Sequence, residues 1–222
     1  MKFNLQNMKS TWLLAGVVAF VTACTPSADK TDNRLPILGN RHYDEAIQDT
    51  IYHTVSDFAF VNQDSALVTP ETLEGKVYVT DFFFTSCPTI CPVMKKQMLR
   101  VYEAFEDSEE VAILSHTIDP EYDTVALLHD YAERLGVSSP SWQFVTGEKD
   151  SIYDIALNSY MVTTAEEEDA PGGFIHSGAF ILVDKDRRIR GMYDGTVPEQ
   201  VDVLINDIRR LLNEYGEPMA SR

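Results

Sequence analysis

Apolar residues in this chain fall into short unbroken runs that alternate with stretches of helical spacing. Residues 77–84, Val-Tyr-Val-Thr-Asp-Phe-Phe-Phe, form an apolar, β-prone block after Gly75, which predicts a buried central strand. Immediately downstream the period changes. Pro92, Val93, Met94, Met98, Leu99, Val101 and Tyr102 recur at helical intervals, predicting a helix that ends near residues 105–108. Residues 111–118 read as a second strand, and Val125, Leu127, Leu128, Tyr131 and Leu135 as an amphipathic helix stopped by Gly136. A short strand at 142–145 and a helix at 152–161 follow. Residues 180–183 and 189–193 then flank Asp184-Lys185-Asp186-Arg187-Arg188 as a hairpin. The last helix, 198–212, places Val201, Leu204, Ile205, Ile208, Leu211 and Leu212 on one face.

Upstream of the central strand, residues 55–61 read as a strand, 62–65 as a turn and 66–68 as the return, an N-terminal β-hairpin. A helical turn at 69–73 leads into the central strand, whereas residues 42–50 carry no decisive pattern. The acidic stretch 165–173 reads as a solvated loop, and no internal repeat is visible. Strands alternating with helices and a late hairpin predict an α/β, thioredoxin-like fold, with a central mixed sheet flanked by helices and a hairpin at its N-terminal side. That domain spans 51–215, behind a tether at 24–50 and ahead of a short tail at 216–222.

The first residues read differently. Lys2 and Lys9 precede a short apolar run from Trp12, and Val21-Thr22-Ala23-Cys24 supplies the small residues of an export cleavage site. The run is too short for a comfortable membrane span. This ending resembles the lipobox of bacterial lipoproteins, which implies an acylated Cys24 at the mature N-terminus, a membrane tether and an extracytoplasmic domain. An ordinary signal peptide with an incidental cysteine is the alternative. The formal net charge of −17 argues against nucleic acid and anionic lipid surfaces as partners.

With Cys24 set aside, two cysteines remain, Cys87 and Cys91, at the switch from central strand to helix. Positions four apart on a helix lie about 5–6 Å apart at their β-carbons. The two sulfurs can therefore converge on each other or on one ion, and the helix N-terminus favours thiolate there. A structural disulfide is the plain alternative, but closing so short a loop removes little unfolded-state entropy. Two thiolates suit Cu(I), and an imidazole added to them suits Cu(II). Of the histidines, His42 and His53 precede the dithiol strand, His116 reads as a satisfied core residue and His129 as an exposed helical one. His176 follows a glycine-rich loop at the start of a strand, where a side chain can reach the active edge. Asp119 ends the strand expected beside the dithiol strand. It reads equally as a weak or orienting group for the cysteines and as ordinary turn and helix-cap chemistry with Asp123-Thr124.

Three segments together carry a family resemblance. Thr85-Ser86-Cys87-Pro88-Thr89-Ile90-Cys91-Pro92, Thr117-Ile118-Asp119-Pro120-Glu121-Tyr122-Asp123-Thr124, and His176-Ser177 ahead of Phe180-Ile181-Leu182-Val183-Asp184 resemble the Sco/SenC family in order and separation. The resemblance covers roughly residues 52–212. It implies a membrane-tethered, thioredoxin-fold copper protein whose ligands are Cys87, Cys91 and His176. Its expected partner is cytochrome c oxidase subunit II, whose CuA site it loads with copper and whose cysteines some members reduce. Two other functions use the same dithiol: an extracytoplasmic thiol–disulfide oxidoreductase acting on partner cysteines, and a redox or copper sensor.

Overall fold

The computed structural model describes residues 34–167 and 174–216, apart from the side chains of Ile175 and His176. The expected signal peptide, Cys24 and part of the acidic stretch lie outside the described residues. All described residues belong to one compact unit, Arg34–Arg222.

In chain order the elements are β1 (Arg41–Asp44), β2 (Asp49–Tyr52), β3 (Phe60–Asn62), β4 (Leu67–Val68), a 3-10 turn (Pro70–Leu73), β5 (Val77–Phe83) and α1 (Cys91–Phe105). Then come β6 (Val111–Thr117), α2 (Val125–Leu135), β7 (Trp142–Thr146), α3 (Lys149–Asp154) and a π-helical turn (Ile155–Ser159). The chain closes with β8 (Thr164–Glu166), β9 (Phe174–His176), β10 (Ala179–Val183), β11 (Ile189–Asp194) and α4 (Pro198–Glu214). Seven strands make one mixed sheet in the order β11-β10-β5-β6-β7-β3-β4. The three central strands β5, β6 and β7 are parallel, with Val77 opposite Val111 and Phe83 opposite Thr117. Every residue in them is buried, as expected of parallel strands covered on both faces.

Successive side chains of β5 face opposite sides. Thr80 and Phe82 point into a cluster with His116 and Tyr160, while Asp81 and Phe83 meet Lys95 of α1 and Tyr131 of α2. The caps follow the sequence. Thr124 accepts from the Leu127 N–H at the start of α2, and Gly136 closes that helix in the left-handed region, φ 72°, where a Cβ is unfavourable.

The chain departs from the sequence pattern in three places. Residues 55–59 are not strand. The Val55 N–H bonds the Arg187 carbonyl and the Ser56 N–H bonds Ser159 Oγ, so their backbone serves other partners. Only β3 and β4 of the expected hairpin form, antiparallel and at the sheet edge. Residues 42–50, which carry no decisive pattern, belong to a separate antiparallel ribbon, β1 with β2. The acidic stretch is not loop throughout, since Ala165 and Glu166 pair with Ile175 and Phe174.

A strap precedes the ribbon. The Arg190 guanidinium donates to the carbonyls of Leu35 (2.6 Å) and Pro36 (3.1 Å) and pairs with Glu214 at 2.6 Å. The Leu35 N–H bonds the same Glu214, and the Leu38 N–H bonds the Ile189 carbonyl at 2.8 Å. Ile189 lies opposite Val183, and Val183 opposite Tyr78. The strap therefore fastens near the N-terminal end of the central strand. Among the described residues no helix is long and apolar enough to cross a membrane.

Candidate metal and thiol site

β5 runs out at Phe83, and α1 begins at Cys91, so the intervening loop sits at the carboxyl end of a wholly buried central strand. Cys87 lies on the turn, its N–H bonded to the Phe84 carbonyl at 3.2 Å, and Cys91 is the first residue of α1. Pro92 costs α1 nothing, because first-turn N–H groups have no intrahelical acceptor. Ile90, the residue at the N-cap, offers no side-chain cap. The Cys87 sulfur supplies one, taking the N–H groups of Thr89 and Cys91.

Both cysteines are buried and no disulfide joins them. Their thiols interact directly, Cys91 donating to Cys87, and the Thr89 hydroxyl lies 3.7 Å from the Cys87 sulfur. The two sulfurs are driven apart in acidity. Burial alone raises Cys87, but the Thr89 N–H, the Cys91 thiol and the Cys91 N–H outweigh it and leave Cys87 below the usual thiol range. Burial pushes Cys91 well up, against the Phe84 N–H and the charge of Lys95. Cys87 is thus the more acidic of the two thiols and Cys91 the less acidic. Such a pair can attack a disulfide, close on itself, or present two soft donors to one ion.

His176 ends β9, opposite Thr164 of β8. The ribbon that carries it is anchored beside the dithiol loop. Phe174 packs on Phe84 with ring centroids 5.1 Å apart, and a Cβ on Gly178 would lie 3.9 Å from Ile90 Cδ1. The backbone bearing His176 thereby packs on one end of the cysteine loop at Phe84 and passes close to the other at Ile90. Among the described residues no three His, Cys, Asp or Glu side chains form a metal-sized group.

The comparisons with known proteins bear on the same segment. A family model described as SCO1/SenC matches residues 48–213. This chain belongs to the SCO1/SenC family. Within it, the SCO1 protein homolog of Bacillus subtilis is 34% identical over 169 residues, covering 74% of this chain and 86% of that protein. The structure of BsSco, a Sco family cytochrome c oxidase assembly protein in which a disulfide switch was identified, superposes with a TM-score of 0.60 at 30% identity. It covers 70% of this chain and 93% of its own. Bradyrhizobium japonicum ScoI, solved with copper bound, gives a TM-score of 0.60 at 25% identity, covering 72% and 99%. The thioredoxin-like architecture expected from the strand and helix order is the architecture of these SCO1/SenC structures.

The remaining site candidates of this SCO1/SenC domain divide. Asp119 does turn work: its carboxylate takes the Tyr122 N–H, and its carbonyl takes the N–H groups of Tyr122 and Asp123. Burial and the neighbouring Asp123 raise its carboxyl. His129 is half exposed, between Asp64 (3.4 Å) and Glu133 (3.6 Å). His116 is buried but not fully satisfied, because its Nε2 has no hydrogen-bond partner among the described residues.

Two features were absent from the sequence reading. Asp123 is fully buried, and its carboxylate accepts from the Thr85 N–H (3.1 Å), the Thr85 hydroxyl and the Thr117 hydroxyl. Beneath α1, Lys95 is 3% exposed and pairs with the wholly buried Asp81 at 2.7 Å. Ser115 completes that cluster. It donates to Asp81 and accepts from Lys95 (3.2 Å) and from Trp142 Nε1 (2.9 Å), while the ammonium sits 4.1 Å above the Phe83 ring. Both signals were present: a lysine four residues after Cys91 in the buried stripe of α1, and a lone carboxylate inside an apolar strand.

Proposed function

We propose that this protein is a membrane-tethered copper carrier. In this reading Cys87 and Cys91 hold the ion, His176 adds a third donor, and the cargo passes to the CuA site of cytochrome c oxidase subunit II. The observation that carries the proposal is the buried, disulfide-free sulfur pair at the start of α1, which offers two soft donors where N–H groups favour thiolate. The copper-bound Bradyrhizobium relative and the assembly role of BsSco support the cargo and the destination. The tether would be a lipid on Cys24, with the domain on the extracytoplasmic side. Copper would move by ligand exchange. Each thiol gives up its proton as it takes the ion, and an acceptor thiolate then displaces the sulfurs one at a time without net electron transfer.

A specific observation favours a second reading. Two adjacent thiols of unequal acidity suit disulfide exchange, with the more acidic Cys87 as the attacking sulfur and Cys91 as the resolving thiol. The two functions separate on His176. Exchange needs only the sulfurs, whereas Cu(II) wants an imidazole beside them. The purified chain should bind one copper per molecule, and its Cu(II) form should show a thiolate-to-copper charge-transfer band. Cys87→Ser or Cys91→Ser should abolish both band and tight binding. Copper held at equal stoichiometry by the double variant would place the site elsewhere. His176→Ala should weaken Cu(II) binding strongly, spare Cu(I) more, and leave the dithiol potential unchanged. Cells carrying it should lose copper-loaded oxidase. Normal oxidase assembly despite lost Cu(II) binding would favour the exchange reading.

A further inference from the structure

The carboxylate that touches the dithiol loop is Asp123, four residues beyond the Asp119 that the spacing singles out. We infer that Asp123 is a positioning residue for the sulfur pair: by clamping Thr85 to Thr117 it sets where Cys87 stands before any ligand arrives. Thr85 is two residues from Cys87, and both its N–H and its hydroxyl are spent on this one carboxylate. The third donor, the Thr117 hydroxyl, comes from the end of β6, and Thr117 Oγ1 in turn accepts the Asp119 N–H at 3.0 Å. An ionised carboxylate offers about four acceptor sites, so three donors nearly saturate it without engaging either sulfur. The Cys87 N–H closes back on the Phe84 carbonyl. The turn 84–87 is thereby held at its base by β5 and across its side by Asp123, and the sulfur at its apex inherits that position.

This inference deepens the copper reading, and its metal arm rests on that reading; a second arm does not. In the full chain, Asp123→Ala should lower Cu(II) affinity about tenfold or more, the usual penalty when a group supporting metal ligands is lost. It should also move the thiolate-to-copper charge-transfer band, which reports sulfur geometry and which a merely less stable fold leaves in place. Thr85→Val keeps the N–H bond and loses the hydroxyl, so it should shift the same readouts in the same direction by less. It also carries the test if Asp123→Ala does not fold. Glu121→Gln, on the same loop but exposed, should change nothing. Independently of metal, the dithiol–disulfide equilibrium against glutathione should change at least threefold in the clamp variants. If the unaltered chain holds no copper, the copper proposal falls and that equilibrium alone decides the clamp. Folded variants with unchanged affinity, band and equilibrium overturn the inference, as does Glu121→Gln reproducing their effect.

Discussion

At the scale of single residues, His116 shows how much protonation chemistry a buried side chain can carry away from the sulfurs. Thr80 Oγ1 lies 2.7 Å from the Leu114 carbonyl and donates to it, so the same oxygen accepts from His116 Nδ1 at 3.1 Å. The proton is thus on Nδ1 and Nε2 is a bare lone pair, enclosed by the rings of Phe60, Phe82 and Tyr160. Burial pushes this imidazole down to about 3, with the Asp81 charge and carbonyl opposing. The folded state therefore resists a proton that the unfolded chain accepts near 6.5. Stability from this group is complete above that value and is lost as pH falls toward 3, by up to about 1.4 kcal/mol per pH unit. Denaturant titrations from pH 7 to 4 should show His116→Phe losing less stability on acidification than the unaltered chain. Parallel pH profiles would refute the assignment. A histidine inside an apolar strand was legible as a core residue; its missing partner was not, because hydrogen-bond satisfaction depends on strands distant in sequence.

Among the elements, α1 is the one whose packing and chemistry cannot be separated. Its buried face reads Cys91, Met94, Lys95, Met98, Val101, so an ammonium stands in the apolar stripe and Asp81 of β5 neutralises it. Removing one member leaves the other charge buried and alone. Lys95→Met should cost about 3–5 kcal/mol, while Asp81→Leu combined with it should recover much of that loss. Equilibrium unfolding of the two variants decides this, and losses that simply add would contradict it. Elements with one-sided burial or strict runs were readable: β5, β6, α2, α4 and the β10–β11 hairpin fall where the spacing put them. The ribbon β1–β2 was not, because Tyr43, Ile47 and Ile51 are exposed and leave no one-faced pattern. Residues 55–59 misled for the opposite reason, since Val55 is buried without being paired in a sheet. The π-helical turn replaces the end of the helix expected over 152–161, a change of hydrogen-bond register that side-chain periodicity does not encode.

On the scale of the whole molecule, the dithiol motif and the order of elements together made both fold and candidate site readable, while Asp123 emerged only when β5 and β6 were laid side by side. The expected anchor belongs here as well. Mass spectrometry of the mature protein should find an acylated Cys24 at the N-terminus, and Cys24→Ala should leave the protein unprocessed or released. An unmodified Cys24, or a start elsewhere, refutes the tether. The strap at Leu35–Leu38 fixes where the described chain enters the domain. It is pinned by Arg190 and Glu214 near the N-terminal end of β5, whereas the sulfurs sit past the other end. Seven residues of strand separate these two poles by roughly 20 Å. A domain held from the first pole would act as a boom, with the sulfur pair at its far tip. Unpinning the strap, by Arg190→Ala for example, would loosen the hold at that pole and leave the sulfurs at the other pole where they are.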